Sequence, residues 1–155
     1  MIGRLKALIT GPAAEAAAEK FDERTIAAAA LLVEVAMVDN DFSDAERGRI
    51  LTLIRERLVD DPALSEELVA RAEAEIAGTV QLFAFTSVVT DGFSYDERVD
   101  LMRSLWEVVL ADGEVDPFED QLMRRLGWLI HVSDRDRAAT RKQAQEALAG
   151  RGTGR

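Results

Sequence analysis

The 155-residue sequence contains no cysteine and a single histidine, His131. The absence of cysteine excludes disulfides, thiolate metal sites and cysteine nucleophiles. One histidine excludes metal sites that need two, and it removes most histidine-based proton relays. The sequence also lacks a P-loop, a dinucleotide fingerprint and a glycine-rich elbow around any serine. We therefore expect a protein that is not an enzyme and that binds no organic cofactor.

Long apolar runs are also missing. None reaches the roughly 18 residues that a membrane span needs, so we expect no integral membrane segment. Arg4 and Lys6 interrupt the apolar character of residues 1–10, which excludes a secretory signal there. The sequence thus predicts a soluble protein, with the cytoplasm as its location.

Proline is scarce, whereas alanine, leucine, glutamate and arginine fill most positions. This composition predicts an all-α protein, a single helical bundle of about seven to eight helices. We divide it into short N-terminal helices (1–21), a helical domain (22–149) and a flexible tail (150–155), with the last helix ending near Ala149. Predicted helix starts are Asp22, Ser43, Ser65, Ser94, Asp116 and Ser133. Residues 79–90 fit both a strand and a helix, and we expect a helix because a lone strand has no partner; Asp91-Gly92 then forms a turn.

The net charge is −10, from 29 acidic and 19 basic residues. So acidic a chain repels nucleic acid, and the basic segment from Arg135 to Arg155 is too weakly charged to change that expectation. The charge favours cations or a basic protein partner. The sequence gives no oligomeric state.

An internal repeat appears when the chain is aligned with itself at an offset of 73 residues. Residues 32–46 then lie over residues 105–119. Each copy has an apolar helix with a central glutamate (Glu34 or Glu107), a carboxylate-rich loop and a capping box that opens a second helix. The sequence therefore predicts two pseudo-symmetric helix–loop–helix units.

Each loop carries oxygen-bearing side chains at its first, third, fifth and eighth positions. They are Asp39, Asp41, Ser43 and Glu46 in the first loop and Asp112, Glu114, Asp116 and Glu119 in the second. Alternating oxygen donors followed by a glutamate are typical of a site for a hard cation. The loops are too short for an EF-hand, and they favour Ca²⁺ or Mg²⁺ over Zn²⁺.

Other interpretations remain open for these residues. Helix capping alone accounts for the side chains at the fifth and eighth positions of each loop, because these residues open the second helix of each unit. It does not account for Asp39 and Asp112, because a negative charge is unfavourable at a helix C-terminus. A cation, an arginine of the bundle or a basic partner could balance them. Glu34 and Glu107 are expected to pair with an arginine, for which the candidates are Arg47, Arg98 and Arg103, or to serve as additional ligands.

We expect the aromatic residues at helical spacing to lie in the core. They are Phe83, Phe85, Trp106, Phe118 and Trp128.

The segment from Leu105 to Glu114, with Glu119 after it, resembles the signature of the TerB-like tellurite-resistance family. The first copy, Leu31 to Glu46, and the linking segment from Phe93 to Arg98 resemble the same family, so that the similarity covers roughly residues 22–148. It implies an all-helical bundle in a bacterial stress-response context. It also implies divalent-metal ligands at Asp39, Asp41, Glu46, Asp112, Glu114 and Glu119. The first loop departs from the second at Asn40 and Ser43.

Together these observations predict a non-catalytic acidic module that binds divalent cations through two carboxylate loops. The alternative is an adaptor that uses its acidic surface to bind a protein partner without metal.

Overall fold

A computed structural model describes residues 21–38, 43–112 and 115–153 of the chain, with the backbone alone at residues 112 and 151–153. These ranges form seven α-helices and one short 3₁₀ turn, and no strand occurs within them. The helices are α1 (Glu23–Met37), α2 (Asp44–Arg57), α3 (Pro62–Ala77), α4 (Thr86–Gly92), α5 (Tyr95–Val109), α6 (Pro117–Leu129) and α7 (Asp134–Thr153), and the 3₁₀ turn is Leu110–Asp112. The predicted all-α fold is confirmed.

Helix α1 is the centre of the bundle. It begins after Asp22, whose side chain accepts a hydrogen bond from the Thr25 backbone N–H at 2.8 Å. Every residue from Ile26 to Ala36 is buried, and the alanines in this stretch let neighbouring backbones approach closely. A helix that is apolar on all sides must be covered on all sides, and α1 packs against α2, α3, α4 and α5.

Helices α1 and α5 run side by side in the same direction. At their N-terminal ends, the Arg24 guanidinium donates to the Gly92 carbonyl oxygen at 3.2 Å and lies over the Phe93 ring. At the other end of α1, Met37 lines the same groove as Phe118, which belongs to the first turn of α6. Because α6 follows α5 after a short connection, the C-terminal ends of α1 and α5 lie at one end of the bundle.

Capping boxes are present at the starts of α2, α5 and α6, which confirms the predicted helix starts at Ser43, Ser94 and Asp116. The caps at Asp22 and Ser133 are also confirmed, the latter by a bond from the Asp136 N–H to Ser133 Oγ at 3.1 Å. Short polar side chains followed three residues later by glutamate therefore mark the starts of α2, α5 and α6 correctly, because the cap is a purely local interaction.

Other predicted boundaries are wrong. Asp61, not Ser65, caps α3, and Ser65 lies buried inside that helix. Residues 79–85 form a turn, and only the later part of the predicted 79–90 helix is helical, in α4. Gly92 closes α4 instead of forming a separate turn. Helix α7 continues to Thr153, beyond the predicted end near Ala149.

The aromatic side chains divide between core and surface. Trp106 and Phe83 are buried as predicted, whereas Phe118 and Trp128 are 58% and 68% exposed. The prediction of a core position is therefore wrong for the last two, because α6 turns these side chains away from the core that Leu122, Met123 and Leu126 join.

Helices α1, α2 and α3 follow one another in the chain, and α5, α6 and α7 follow one another in the same way. In the first set α1 packs most extensively against α3, and in the second set α5 packs most extensively against α7. This order agrees with the sequence repeat, although the duplication itself stays a prediction. None of the helices among the described residues is both long enough and apolar enough to span a bilayer.

Candidate functional site

The candidate site is the end of the bundle at which both carboxylate loops connect their helices. The first loop leaves α1 after Val38 and enters α2 at Ser43, and the second joins the 3₁₀ turn to Asp116. Asp39, Asp41, Glu114 and the side chain of Asp112 lie outside the described residues. The remaining predicted ligands can be placed.

In the first loop, Ser43 and Glu46 form a reciprocal cap. The Glu46 carboxylate accepts from the Ser43 backbone N–H at 3.0 Å and from its hydroxyl at 3.2 Å, and Ser43 Oγ accepts from the Glu46 N–H at 3.1 Å. Glu46 is buried. These bonds hold the carboxylate at the start of α2, where the helix dipole also stabilises negative charge.

In the second loop, Asp116 and Glu119 form the equivalent cap. Asp116 Oδ1 accepts from the Glu119 N–H at 2.8 Å, and Glu119 Oε1 accepts from the Asp116 N–H at 3.1 Å. Asp116 is exposed and Glu119 is half-buried. The predicted ligands that the structure describes therefore hold the same positions in two matching helix starts.

Within the described residues, no three histidine, cysteine, aspartate or glutamate side chains are grouped so as to hold a metal ion. The described carboxylates at the two loops each take part in a helix cap. A complete coordination shell would therefore require the loop carboxylates that lie outside these residues.

The two central glutamates have different partners. Glu107 is buried and its Oε2 lies 3.1 Å from the Arg57 guanidinium, which also donates to Ser104 Oγ. An arginine partner was expected, but it is Arg57 rather than Arg47, Arg98 or Arg103. Arg57 was missed because it is distant in sequence and reaches α5 only through the packing of α2.

Within the part of the chain that the structure describes, Glu34 has no arginine partner. Its Oε2 accepts from the Phe83 backbone N–H at 2.6 Å, whereas Oε1 is buried without a hydrogen-bond partner. Burial raises the pKa of the Glu34 carboxyl above its usual value, and the bond from Phe83 opposes that shift in part. The prediction of an ion pair with arginine is therefore wrong for Glu34. Its carboxyl group instead accepts a hydrogen bond from the turn of residues 79–85.

Arginines near the two loops have other partners. Arg47, one turn after the first loop, lies 3.2 Å from Glu66 and 3.6 Å from Glu73 on α3. Arg141 pairs with Asp120 at 2.9 Å and lies over the Trp106 ring. These pairings use cationic groups that could otherwise have balanced the loop carboxylates.

A groove lies at the end of the bundle where α1 ends and α6 begins. It has a volume of about 370 Å³ and is bounded by the end of α1, the end of α3, the turn of residues 79–82 and the start of α6. Its side chains are mostly apolar and Glu34 contributes to its lining. Sequence reasoning missed this groove, because helical spacing alone does not show which apolar side chains remain uncovered.

A family model described as tellurite resistance protein TerB matches residues 25–142. The chain belongs to the TerB family. The match covers most of the described bundle, from the first turn of α1 into α7, and it includes both carboxylate loops of this TerB-family protein. Comparison with curated proteins and with solved structures gave no match.

Proposed function

We propose that this TerB-family protein is a non-catalytic module that binds a divalent cation, Ca²⁺ or Mg²⁺, between its two carboxylate loops, within a tellurite-resistance-like stress response. The observation that supports it best is the parallel arrangement of α1 and α5. Both helices end at the same end of the bundle, and the proposal is that the carboxylates which follow each helix in the sequence share one cation there.

The charge of that region supports the proposal further. Asp39 and Asp112 follow helix C-termini, where a negative charge costs roughly 0.3–1 kcal/mol. A divalent cation shared by the loops would remove this repulsion and couple the ends of α1 and α5. Oxygen ligands and retained water molecules suit Mg²⁺ or Ca²⁺.

Thermal unfolding with and without metal tests the proposal. The protein is melted in EDTA and then in millimolar Ca²⁺, Mg²⁺, Mn²⁺ or Zn²⁺ at constant ionic strength. A cation at about 100 times its Kd adds about 2.7 kcal/mol to the free energy of unfolding, which raises the Tm by roughly 5–10 °C in a domain of this size. The Asp39→Asn/Asp112→Asn double variant is expected to lose this rise.

The matched control is Asp91→Asn/Asp96→Asn, which removes the same charge from exposed positions next to the start of α5. It is expected to keep the full cation response. A wild-type Tm that no cation changes, or a rise that the loop variant retains, would contradict cation binding at the loops. The protein would then be better described as an adaptor that uses its acidic surface without metal.

A further inference from the structure

Four exposed apolar side chains line the groove between the end of α1 and the start of α6. They are Met37, Val80, Leu82 and Phe118, and they make up most of the large hydrophobic side chains exposed among the described residues. Val80 is fully exposed and Phe118 is 58% exposed. Single exposed apolar residues are ordinary, whereas a contiguous apolar patch marks a site of contact.

The turn that carries Val80 and Leu82 is held in a fixed conformation. Phe83 has a φ of 58°, a backbone conformation that is strained for a residue other than glycine, and its ring is buried. Its N–H is held by the buried carboxyl of Glu34 at 2.6 Å. This turn therefore combines a strained backbone position and a hydrogen bond to a buried carboxyl group with apolar side chains that face solvent. A surface fixed in this way loses little entropy on binding a partner.

The charges around the groove indicate what it contacts. No lysine or arginine of the described residues lines it, whereas Glu34 does. Exposed Asp116 lies two residues before Phe118, and in the sequence Asp39 directly follows Val38, another lining residue. An apolar groove that no described lysine or arginine lines, in a strongly acidic protein and with exposed Asp116 two residues before Phe118, is complementary to a segment that combines apolar and basic side chains.

We propose that this groove binds a short amphipathic, basic segment of a partner protein. Apolar side chains of the segment contact Leu82 and Phe118, and its lysine or arginine side chains face Asp116 and the acidic surface of the protein. A bilayer of anionic lipids does not fit the same surface, because a net charge of −10 opposes it. The interaction goes beyond cation binding and does not require it.

A designed peptide tests the proposal with the whole chain in EDTA. The probe is a fluorescein-labelled 14-residue amphipathic helix of leucine and lysine, with two comparison peptides. One replaces every lysine by glutamate, and the other replaces every leucine by serine. Only the leucine–lysine peptide is expected to raise fluorescence anisotropy at micromolar protein. In ¹H–¹⁵N spectra it should shift the amides of Met37, residues 79–83 and Phe118.

Two groove variants and one matched control identify the surface. Phe118→Ala and Leu82→Ser are expected to weaken binding at least tenfold, while circular dichroism shows that they remain folded. Trp128→Ala removes an equally exposed aromatic ring from the same helix, outside the groove, and is expected to leave the affinity unchanged. Phe118→Ala should also keep any cation-dependent rise in Tm, which separates this proposal from that of the loops.

Several results would overturn the proposal. They are equal binding of the leucine–glutamate or serine–lysine peptide, equal affinity of Phe118→Ala, and amide shifts confined to other surfaces. Phe118-dependent binding to vesicles of phosphatidylcholine and phosphatidylglycerol would instead assign the groove to membranes. Concentration-dependent dimerisation that Phe118→Ala abolishes would assign it to a second copy of the chain.

Discussion

Glu34 combines three properties that a surface glutamate does not have. It is buried, it receives a backbone hydrogen bond from a residue with positive φ, and one of its oxygens has no partner. Its repeat equivalent, Glu107, is instead neutralised by Arg57. The same residue type therefore stabilises a turn in one half of the chain and an interhelical contact in the other.

Replacing Glu34 tests its structural role. Glu34→Ala should lower the free energy of unfolding by about 1–3 kcal/mol, because it leaves the buried Phe83 N–H without an acceptor. Glu34→Gln keeps an acceptor oxygen for that N–H and should lose less. Urea unfolding measures both variants, and equal losses would show that the hydrogen bond to Phe83 is unimportant.

The pH dependence at Glu34 has a defined sign. Because burial raises the pKa of this carboxyl in the folded state, the native protein holds the proton more tightly than the unfolded chain does. Its contribution to stability is complete below the usual glutamate pKa and is lost as pH rises through the raised value. Wild-type stability measured against that of Glu34→Gln should therefore fall as pH rises above the usual glutamate pKa of 4.5, and parallel curves would contradict the raised pKa.

At the scale of the element, helix starts depend on a few side chains. Asp61 Oδ1 accepts from the Ala63 and Leu64 N–H groups at 2.8 and 3.1 Å, whereas Ser65, one turn later, donates its hydroxyl to the carbonyl oxygens of Val59 and Asp61. Both residues resemble caps in the sequence. Only Asp61 has the extended backbone of an N-cap, and Pro62 follows it at the first helical position.

This difference predicts unequal effects of two alanine substitutions. Asp61→Ala should destabilise the protein by about 1 kcal/mol, because two N–H groups at the start of α3 lose their acceptor. Ser65→Ala should cost less, since alanine is the better helix former and the Asp61 carbonyl keeps its bond from the Ser65 N–H. Chemical denaturation measures the free energy of unfolding of both variants. A larger loss of stability for Ser65→Ala than for Asp61→Ala would contradict this prediction.

At the scale of the whole molecule, the dominant property is the net charge of −10. Like charges repel one another more strongly in the compact state than in the unfolded chain, and salt screens this repulsion. The screening length falls from about 30 Å at 0.01 M salt to about 3 Å at 1 M. The Tm should therefore rise with NaCl, with no need for a specific ion.

Melting curves in EDTA over this range of NaCl measure the effect, and the same series for Asp91→Asn/Asp96→Asn should show a weaker dependence. A Tm that falls with salt would mean that surface pairs such as Arg47 with Glu66 and Glu73 outweigh the net repulsion. The experiment also gives the baseline against which any effect of a divalent cation is judged.

The sequence by itself determined the all-α class, the family, the capped helix starts other than that of α3, and the acidic character of the protein. These properties depend on composition, on local hydrogen bonds between residues three apart and on motifs that are continuous in the chain. Capping boxes such as Ser94 with Glu97 were predictable because both partners lie within one turn.

Only the tertiary structure decided the partners of Glu34 and Glu107, the turn of residues 79–85 and the exposure of Phe118. The Phe83 N–H is 49 residues from Glu34 and Arg57 is 50 residues from Glu107. No helical period or local propensity encodes such contacts. Periodicity shows which side chains of a helix share a face, but the packing of the other helices determines whether that face is covered.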